Sequence, residues 1–174
     1  HLTLIPQFIS TRFSSFIKNE LELDFSVEDA LLLLESSELM DEQKKQLLTV
    51  NFTVWNSFTT KENLLIVAKR IIELNFTEKS VINLSLLIDS LDNENDLIKI
   101  MSLQHKFLSK EMIEKTINNK FNNIHKLAIE RKGKTKKVPY SSQMMEFYKL
   151  LERKDLISTC EQKGDRIIIH QKRK

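Results

Sequence analysis

Apolar residues recur at helical spacing through most of the first 130 residues. Leu64, Val67 and Ile71 stand three and four positions apart, which is the spacing of one face of a helix. Several stretches carry apolar residues over much of the helix circumference, as helices in the centre of a packed array do. The pattern predicts nine helices, over about 6–21, 27–36, from 41 onward, 61–74, 78–91, 94–107, 110–118, 121–131 and 142–153.

Three of these predicted helices share one start pattern, an apolar residue followed by a hydroxyl residue. The hydroxyl oxygen of such an N-cap accepts an unpaired backbone N–H, and the apolar residue packs on the fourth helical position. The stretch 22–26 is similar to the stretch 73–77, at an offset of 51 residues, which predicts a weak internal repeat of stacked helix pairs. The alternative is that a helical protein simply reuses one start pattern. The three pairs are Phe25-Ser26, Phe76-Thr77 and Leu108-Ser109.

The helical pattern breaks at the basic segment 131–140. Gly133 suits the end of a helix, Pro139 cannot lie inside one, and five of the seven residues 131–137 are basic. Because like charges repel, we predict an exposed, mobile loop here. A further helix, over 142–153, follows this loop.

Two short alternating runs close the chain. The runs Leu156–Glu161 and Arg166–His170 flank residues 162–165, in which Gly164 can take the positive φ of a tight turn. An isolated hairpin is marginal in water, so we expect its apolar face to pack on the preceding helix or on the helical body. The predicted fold is mainly α, a helical-repeat-like array of stacked helix pairs that ends in a helix and a β-hairpin similar to a winged helix.

Composition agrees with a helical, globular chain of 174 residues. Gly and Pro occur twice each, which disfavours a turn-rich β fold. The one cysteine, Cys160, rules out an internal disulfide and suits a reducing, cytoplasmic compartment. The longest apolar runs are far shorter than the roughly 20 residues of a membrane-spanning helix, and we expect none. The chain starts at His1 rather than at methionine, so we expect a piece of a longer protein.

Charge divides the chain where the hydrophobic pattern changes. Residues 1–130 hold 14 Lys and Arg against 19 Asp and Glu, whereas residues 131–174 hold 13 against 5. The balance is therefore −5 in the first part and +8 in the second. We predict an acidic helical body over 1–130, a basic loop over 131–140, and a small basic αββ module over 141–174 that packs on the body.

Candidate catalytic and metal-binding motifs are few. Neither glycine lies in the glycine-rich setting of a phosphate-binding loop, and His105 and His125 lie on different predicted helices without a cluster of further ligands. Cys160 falls in a predicted strand, where a buried and unreactive thiol is common. The acidic cluster 92–96 stands at a helix start, where Asp and Glu favour the helix dipole. We therefore predict no catalytic residue, no metal ligand and no cofactor, and a protein that is not an enzyme.

The densest aromatic group lies in a poorly periodic connection between predicted helices. It consists of Phe52, Trp55 and Phe58, with Val54 between them. One interpretation is a structural plug between two helix pairs, because large rings fill irregular gaps. The other is a protein-binding hot spot, because Trp is enriched at such sites.

The basic residues near the C-terminus are the strongest candidates for contact with a partner. Winged-helix modules bind nucleic acid through a helix and a following two-stranded wing with basic flanks, and the predicted end of this chain has the same order of elements. Glu146 and Glu152, on the presumed exposed side of that helix, argue against contact with phosphates. The alternatives are an acidic protein surface, the chain's own body included, and a solvated basic end. The candidate contact residues are Arg131, Lys132, Lys134, Lys136, Lys137, Lys172, Arg173 and Lys174.

Segments in the second half of the chain resemble a known family. They are residues 92–108 (DNENDLIKIMSLQHKFL), the Lys-rich loop to Val138-Pro139, the run Met145-x-x-Tyr148-x-x-Leu151 and the closing segments 156–158 and 163–169. These segments are similar to the C-terminal tail of large bacterial P-loop NTPases of the YobI-like, KAP-related kind. The resemblance implies an ATPase upstream, with this region as an accessory or sensor part. No nucleotide-binding residue carries over, because the family's phosphate motifs do not occur in these segments.

We therefore expect a non-catalytic interaction region that acts by protein–protein or intramolecular contact in the bacterial cytoplasm. The alternative is nucleic-acid binding through the basic end, which predicts an affinity that falls steeply with salt. A third hypothesis is an enzyme that uses Cys160 or acidic residues. Under that hypothesis the substitution Cys160→Ser would remove the best nucleophile.

Overall fold

The structure, a computed structural model, describes residues 6–19 and 25–174, and of residue 19 it describes the backbone only. It divides the chain into two units, His1–Leu91 and Asp92–Lys174. Within the described residues there are ten α-helices and one three-stranded antiparallel sheet, so the chain is mainly α with a C-terminal helix and hairpin, as predicted. None of these helices combines the length and the apolar character that a membrane crossing requires.

The described part of the first unit contains six α-helices. The predicted helix over 6–21 is divided in two at Arg12, and residues 20–24 lie outside the described residues. A 3-10 helix, Thr53–Ser57, connects the fourth and fifth helices. The six helices are α1 (Pro6–Thr11), α2 (Phe13–Asn19), α3 (Val27–Glu35), α4 (Asp41–Thr49), α5 (Lys61–Glu73) and α6 (Leu84–Ser90).

Helix α3 begins as its start pattern predicts. Ser26 Oγ accepts the backbone N–H of Asp29 over 3.2 Å, and the Asp29 carboxylate accepts the backbone N–H of Ser26 over 3.1 Å. These reciprocal bonds form a capping box and satisfy two donors that the start of a helix leaves unpaired. The cap depends on residues three positions apart, so the local sequence is enough to set it.

Helix α5 ends at a residue in the left-handed conformation. Asn75 has φ +49°, and the following amide, Phe76 N–H, donates to the Ile71 carbonyl over 3.0 Å. This Schellman motif satisfies a carbonyl that the helix end leaves free. Asn tolerates positive φ better than most residues do. Asn75 therefore ends α5 two residues before Thr77, the residue at which the sequence predicts the next helix to start.

The predicted helix start at Thr77 is wrong. Helix α6 begins only at Leu84, and the Asn83 side chain caps it by accepting the Ser85 N–H over 2.8 Å. Asn is as good an N-cap as Ser and better than Thr, because its carbonyl oxygen reaches the free amides of the first turn. The predicted repeat therefore loses the helix start of its second copy, and residues 22–24 of the first copy lie outside the described residues.

The second unit, all of whose residues are described, combines four α-helices with the sheet. Ser109 Oγ caps α8 by accepting the Met112 N–H over 3.1 Å, as its start pattern predicts. This unit begins at Asp92, so the helices between residues 92 and 130, which the sequence assigns to the acidic body, lie in one unit with the basic end. The elements are α7 (Glu94–Leu103), a 3-10 helix (His105–Phe107), α8 (Lys110–Lys120), α9 (Asn123–Ala128), β1 (Thr135–Pro139), α10 (Ser142–Arg153), β2 (Thr159–Lys163) and β3 (Arg166–His170).

From Thr135 onward the basic segment is a strand and not the predicted mobile loop. The strand order is β1-β3-β2 with antiparallel neighbours, and Lys137 stands opposite Ile168. The loop prediction is wrong because Val138 is buried, with 2% of its surface exposed, and because β3 offers a second edge for backbone pairing. The lysines do not oppose this pairing, since their long stems carry the charges into water.

Strands β2 and β3 form the predicted hairpin, with the first strand shifted. It starts at Thr159 rather than at Leu156, and Gly164 stands in the tight turn with φ +60°. The shift arises because α10 ends in a second Schellman motif, in which Asp155 has φ +64° and the Leu156 N–H returns to the helix. The chain must complete this reversal before a strand can begin.

Helix α10 covers the open edge of β2. The Cys160 N–H donates to Glu152 Oε1 over 3.0 Å, and Lys149 Nζ donates to the Cys160 carbonyl over 3.1 Å. Both backbone groups of this edge residue are thus satisfied by side chains of the helix, which blocks pairing with another strand at that point. The hairpin is docked on the preceding helix, as predicted.

Candidate interaction surface at the basic end

The two units carry opposite net charge. The first holds 8 Lys and Arg against 13 Asp and Glu, and the second holds 19 against 11. The net charges are therefore −5 and +8. The surplus of the second unit comes from residues 131–174, because residues 92–130 hold six groups of each sign.

Backbone pairing joins the basic segment to the C-terminal residues. Beyond the ends of β1 and β3, the Gly133 N–H donates to the Lys172 carbonyl over 3.1 Å, and the Gln171 N–H donates to the Lys134 carbonyl over 2.9 Å. The Lys134 N–H donates in turn to Gln171 Oε1 over 3.2 Å, across 37 residues of sequence. Two basic stretches are thereby held side by side.

This pairing creates a groove lined by cations, which we call the terminal groove. Its lining residues are Lys132, Gly133, Lys134, Arg173 and Lys174. Gly133 has φ +72°, and a Cβ at this position would stand 3.3 Å from Arg173 Cγ. The glycine therefore permits both the local backbone conformation and the close approach of the arginine stem.

A second depression adjoins the terminal groove and shares three of its residues. It adds the residues Ser158, Thr159, His170, Gln171 and Lys172. His170 Nδ1 lies 3.3 Å from Thr135 Oγ1, across the β1–β3 pair. Hydroxyl and imidazole N–H groups donate hydrogen bonds to anionic oxygens, so this side of the groove also suits an acidic ligand.

Two carboxylates neutralise part of the basic end. Glu130 Oε2 lies 2.7 Å from Lys132 Nζ, and this hydrogen bond is the main cause that lowers the pKa of Glu130. A hydrogen bond from Lys172 likewise lowers the pKa of Asp155, with a smaller contribution from the charge of Arg131. These cations already have internal counter-charges.

Five other candidate cations of the basic end form no such ion pair within the described residues. Of the carboxylates in the described residues, none forms an ion pair with Lys134, Lys136, Lys137, Arg173 or Lys174. An anionic ligand would supply the missing counter-charge without breaking an internal bond. Three of these cations, Lys134, Arg173 and Lys174, line the terminal groove. The groove is therefore the centre of the candidate surface.

Strand β1 places its two lysines on opposite faces of the sheet. Successive side chains of a strand alternate in direction, so Lys136 shares the face of the buried Val138. Lys137 shares the outer face with its cross-strand partner Ile168 and with Arg166. The structure thus gathers Lys132, Lys134, Arg173 and Lys174 but does not bring all eight predicted contact residues onto one surface.

The aromatic group of the first unit lies in a core. Phe52, Trp55 and Phe58 are only 1%, 4% and 1% exposed. The Phe52 ring lies between Phe16 and Trp55, with ring centres 6.0 Å and 6.2 Å apart, and Trp55 Nε1 donates to the Val50 carbonyl over 3.1 Å. These rings offer no accessible surface to a partner, so this arrangement supports their structural interpretation and not the hot-spot interpretation.

Cys160 is buried in an environment that suppresses thiol chemistry. Its Sγ lies 3.6 Å from Glu152 Oε1, and burial is the main cause that raises the pKa of the thiol to about 11. Because the thiolate is the nucleophile, this side chain is in its unreactive form at neutral pH. In the part of the chain that the structure describes, no three His, Cys, Asp or Glu side chains are grouped in a way that could hold a metal ion.

A buried polar chain, which the sequence does not reveal, crosses the second unit. Tyr148 Oη lies 2.7 Å from His125 Nδ1, and His125 Nε2 lies 3.1 Å from Glu94 Oε1. Burial lowers the pKa of His125, and the neutral ring accepts the tyrosine O–H while it donates to the carboxylate. Asn122 N–H completes the chain by donating to Glu94 Oε2 over 2.9 Å. Because every member has a partner, the chain serves to hold α7, α9 and α10 together.

The triplet Gly133-Lys134-Thr135 has the residue types that end a phosphate-binding loop. In such a loop the triplet opens a helix, and the preceding backbone amides face the phosphates. Here Thr135 begins a strand, Ala128 stands where the loop has its first glycine, and the amides of Gly133 and Lys134 are bonded to the C-terminal segment. The triplet contributes a cation to the terminal groove and forms no nucleotide cradle.

Several residues of the candidate surface carry no pattern that sequence reasoning could find. Ser158, Thr159 and Gln171 line the depression beside the terminal groove, which forms because β3 pairs with both β1 and β2. A chain with few strand residues gives little reason to expect the pairing with β1. No protein-family model, no curated protein and no solved structure matches the chain.

Proposed function

We propose that this chain is a non-catalytic interaction region, and that its basic end binds an acidic protein surface or segment. The partner is another protein or another part of the same chain. One observation carries the proposal: Lys134, Arg173 and Lys174 line the same groove, and none of them forms an ion pair with a described carboxylate. Such an arrangement attracts and orients an anionic partner at little internal cost.

We further propose that the region belongs to a larger bacterial, cytoplasmic P-loop NTPase of the YobI-like, KAP-related kind. The support is the sequence resemblance of the segments between residues 92 and 169 described above. In that setting the ATPase lies upstream, and partner binding at the basic end is relayed to it by docking. The reading frame upstream of residue 1 tests this part directly, because it must encode a nucleotide-binding loop.

Nucleic-acid binding is the second candidate function. The observation that favours it is that the β2–β3 hairpin follows α10 directly, which is the order of elements in a winged helix, with cations on the outer face of the sheet. Against it, the exposed positions of α10 mix Glu146 with Lys149 and Arg153, so the helix presents no uniformly positive face to phosphates. We therefore rank this function below protein binding.

The test compares binding of poly-L-glutamate and of a short duplex DNA to the full chain. The double variant K134Q/R173Q removes two groove cations, and K69Q/K79Q removes two exposed lysines of the first unit as a control with the same change in net charge. We expect K134Q/R173Q to weaken poly-L-glutamate binding by roughly tenfold or more and K69Q/K79Q to leave it nearly unchanged. Equal effects of the two variants would show non-specific charge attraction and would reject the proposal.

The DNA arm decides between the two functions. If DNA binds more tightly than poly-L-glutamate and its affinity falls steeply with salt, nucleic-acid binding takes the place of protein binding. Weak DNA binding that responds equally to both variants would support the acidic protein partner.

A further inference from the structure

An exposed apolar pair lies on helix α9, whose last turn is bonded to Gln171 in the depression beside the terminal groove. Ile124 and Leu127 are each 40% exposed, although the same short helix buries His125 and Ala128 on its other side. Residues three positions apart lie on one face of a helix, so the two side chains are neighbours. Single exposed apolar residues are ordinary, but an adjacent pair provides a small surface on which an apolar side chain can pack.

The Gln171 side chain fixes this helix to the terminal groove. Its Nε2 donates to the Leu127 carbonyl at the end of α9, while its Oε1 accepts the Lys134 N–H over 3.2 Å. Gln171 is itself buried, with 4% of its surface exposed, so this connection is shielded from water. One amide group therefore sets the position of the apolar pair relative to the groove cations.

The charges near the pair determine what kind of ligand can cover it. The chain runs from the end of α9 through Arg131 and Lys132 into the groove. Two carboxylates lie close to α9 along the chain or in space: Glu130 is paired with Lys132, and Glu94 is bonded to Asn122 and His125. Groove cations at Lys134 and Arg173 remain available. Charge complementarity thus calls for an acidic ligand, and the apolar pair calls for apolar side chains on the same ligand.

We propose that the ligand is an acidic polypeptide segment with at least two apolar side chains. The apolar side chains pack on Ile124 and Leu127, and the carboxylates pair with Lys134 and Arg173. This proposal rests on the proposed function and specifies the partner of the same surface. A nucleic-acid backbone fits less well, because it has charge for the groove but no aliphatic side chains for the pair.

The experiment uses two synthetic peptides with the same number and spacing of glutamates. One has leucines between them, and the other has serines in place of the leucines. Binding of each fluorescent peptide to the full chain is measured by anisotropy. The proposal predicts that the leucine peptide binds about tenfold more tightly, because covering two half-exposed aliphatic side chains is worth about one decade in affinity.

Matched variants locate that preference. In I124S/L127S the two peptides should bind equally, whereas V81S/L86S, which removes two similarly exposed apolar residues of the first unit, should retain the preference. Equal binding of both peptides to the unchanged chain would overturn the proposal, and so would a preference that survives I124S/L127S. The peptide comparison on the unchanged chain remains decisive even if I124S/L127S folds poorly.

The same measurements separate this inference from the proposed function. If K134Q/R173Q weakens both peptides but neither prefers leucine, the groove binds acidic ligands and only the apolar contact is wrong. If K134Q/R173Q changes nothing, the proposed function itself fails. A short single-stranded DNA that binds more tightly than both peptides would overturn the inference in favour of nucleic acid.

Discussion

Tyr148 and His125 lie on different helices, and their side chains meet at 2.7 Å inside the second unit. Tyr148 is fully buried and His125 is 2% exposed, so neither group can replace this hydrogen bond with one to water in the folded state. Helix α9, which carries His125, also carries the exposed pair Ile124 and Leu127. The buried bond to Tyr148 therefore anchors the helix that borders the proposed docking surface.

The substitution Tyr148→Phe should lower the free energy of unfolding by about 1–3 kcal/mol. It keeps the ring but leaves His125 Nδ1 buried without a donor. Urea unfolding followed by circular dichroism measures the difference. Tyr140→Phe is the matched control, because Tyr140 is 38% exposed and should change stability by less than about 0.5 kcal/mol. If the two variants lose similar amounts of unfolding free energy, the buried Tyr148–His125 hydrogen bond does not contribute to stability beyond an exposed tyrosine hydroxyl.

Stability should fall as the pH is lowered from about 7.5 to about 5.5. Burial, opposed by the nearby Glu94 carboxylate, lowers the pKa of His125 below its ordinary value of 6.5. In this range the unfolded chain binds a proton that the folded chain does not, so the stability present above the unfolded pKa is lost as the pH falls toward the folded pKa. One such proton changes the free energy of unfolding by at most about 1.4 kcal/mol per pH unit.

The pH effect can be assigned with the variant His125→Gln, which should show a smaller slope over the same range. His105 contributes in the same direction, because burial also lowers its pKa, so part of the slope should persist. His170→Gln, at a half-buried position on β3, serves as the control. The lowered pKa values of Glu130 and Asp155 act only at more acidic pH, near the ordinary carboxylate range. A slope that is unchanged in His125→Gln would contradict the assignment.

The Cys160 thiol should react slowly with iodoacetamide in the folded protein. Raising its pKa from 9.0 to about 11 lowers the thiolate fraction at about pH 8 by roughly 100-fold, and burial restricts access further. Labelling rates in native buffer and in concentrated denaturant give the comparison, with the unfolded chain as the internal control. A native rate close to the unfolded rate would revive Cys160 as a candidate nucleophile.

The substitution Ile167→Ala should destabilise the protein by about 2–5 kcal/mol. Ile167 is fully buried on β3, the central strand of the sheet, which pairs with both β1 and β2. Truncation of its side chain leaves a cavity under the strand on which the whole sheet depends. Arg166→Ala, one position earlier and exposed, is the control and should have little effect. Thermal unfolding of the two variants provides the test, and an unchanged melting curve for Ile167→Ala would mean that the sheet is not part of the cooperative core.

Local sequence predicts the helices well where the deciding contacts are also local. The caps at Ser26 and Ser109 are correct because each cap bond joins residues three positions apart. The error at Thr77 is local as well: Asn75 stops one helix and Asn83 starts the next, and both compete better for those roles than the threonine does. Helix α10 agrees with its predicted bounds, because one strongly amphipathic stretch is closed by a cap at each end.

The sheet and the candidate surface could be predicted only in part. The hairpin is expected because Gly164 lies between two alternating runs, but β1 is missed because its residues are mostly lysine and its partner strand begins 27 residues beyond its end (Pro139 to Arg166). The eight basic candidates are visible in the sequence, whereas the gathering of four of them around Gly133 requires the pairing with Lys172. The polar chain from Glu94 to Tyr148 is hidden for the same reason.

By itself, the amino-acid sequence determined the helical class, the positions of most helix ends and the concentration of positive charge near the C-terminus, since these follow from periodicity, caps and residue counts. Tertiary structure alone decided that Thr135–Pro139 is a strand, which cations share a groove, and that the aromatic group is covered. The physical reason is distance along the chain. Hydrogen bonds and burial between remote residues depend on how the whole unit packs, and no short window of sequence contains that information.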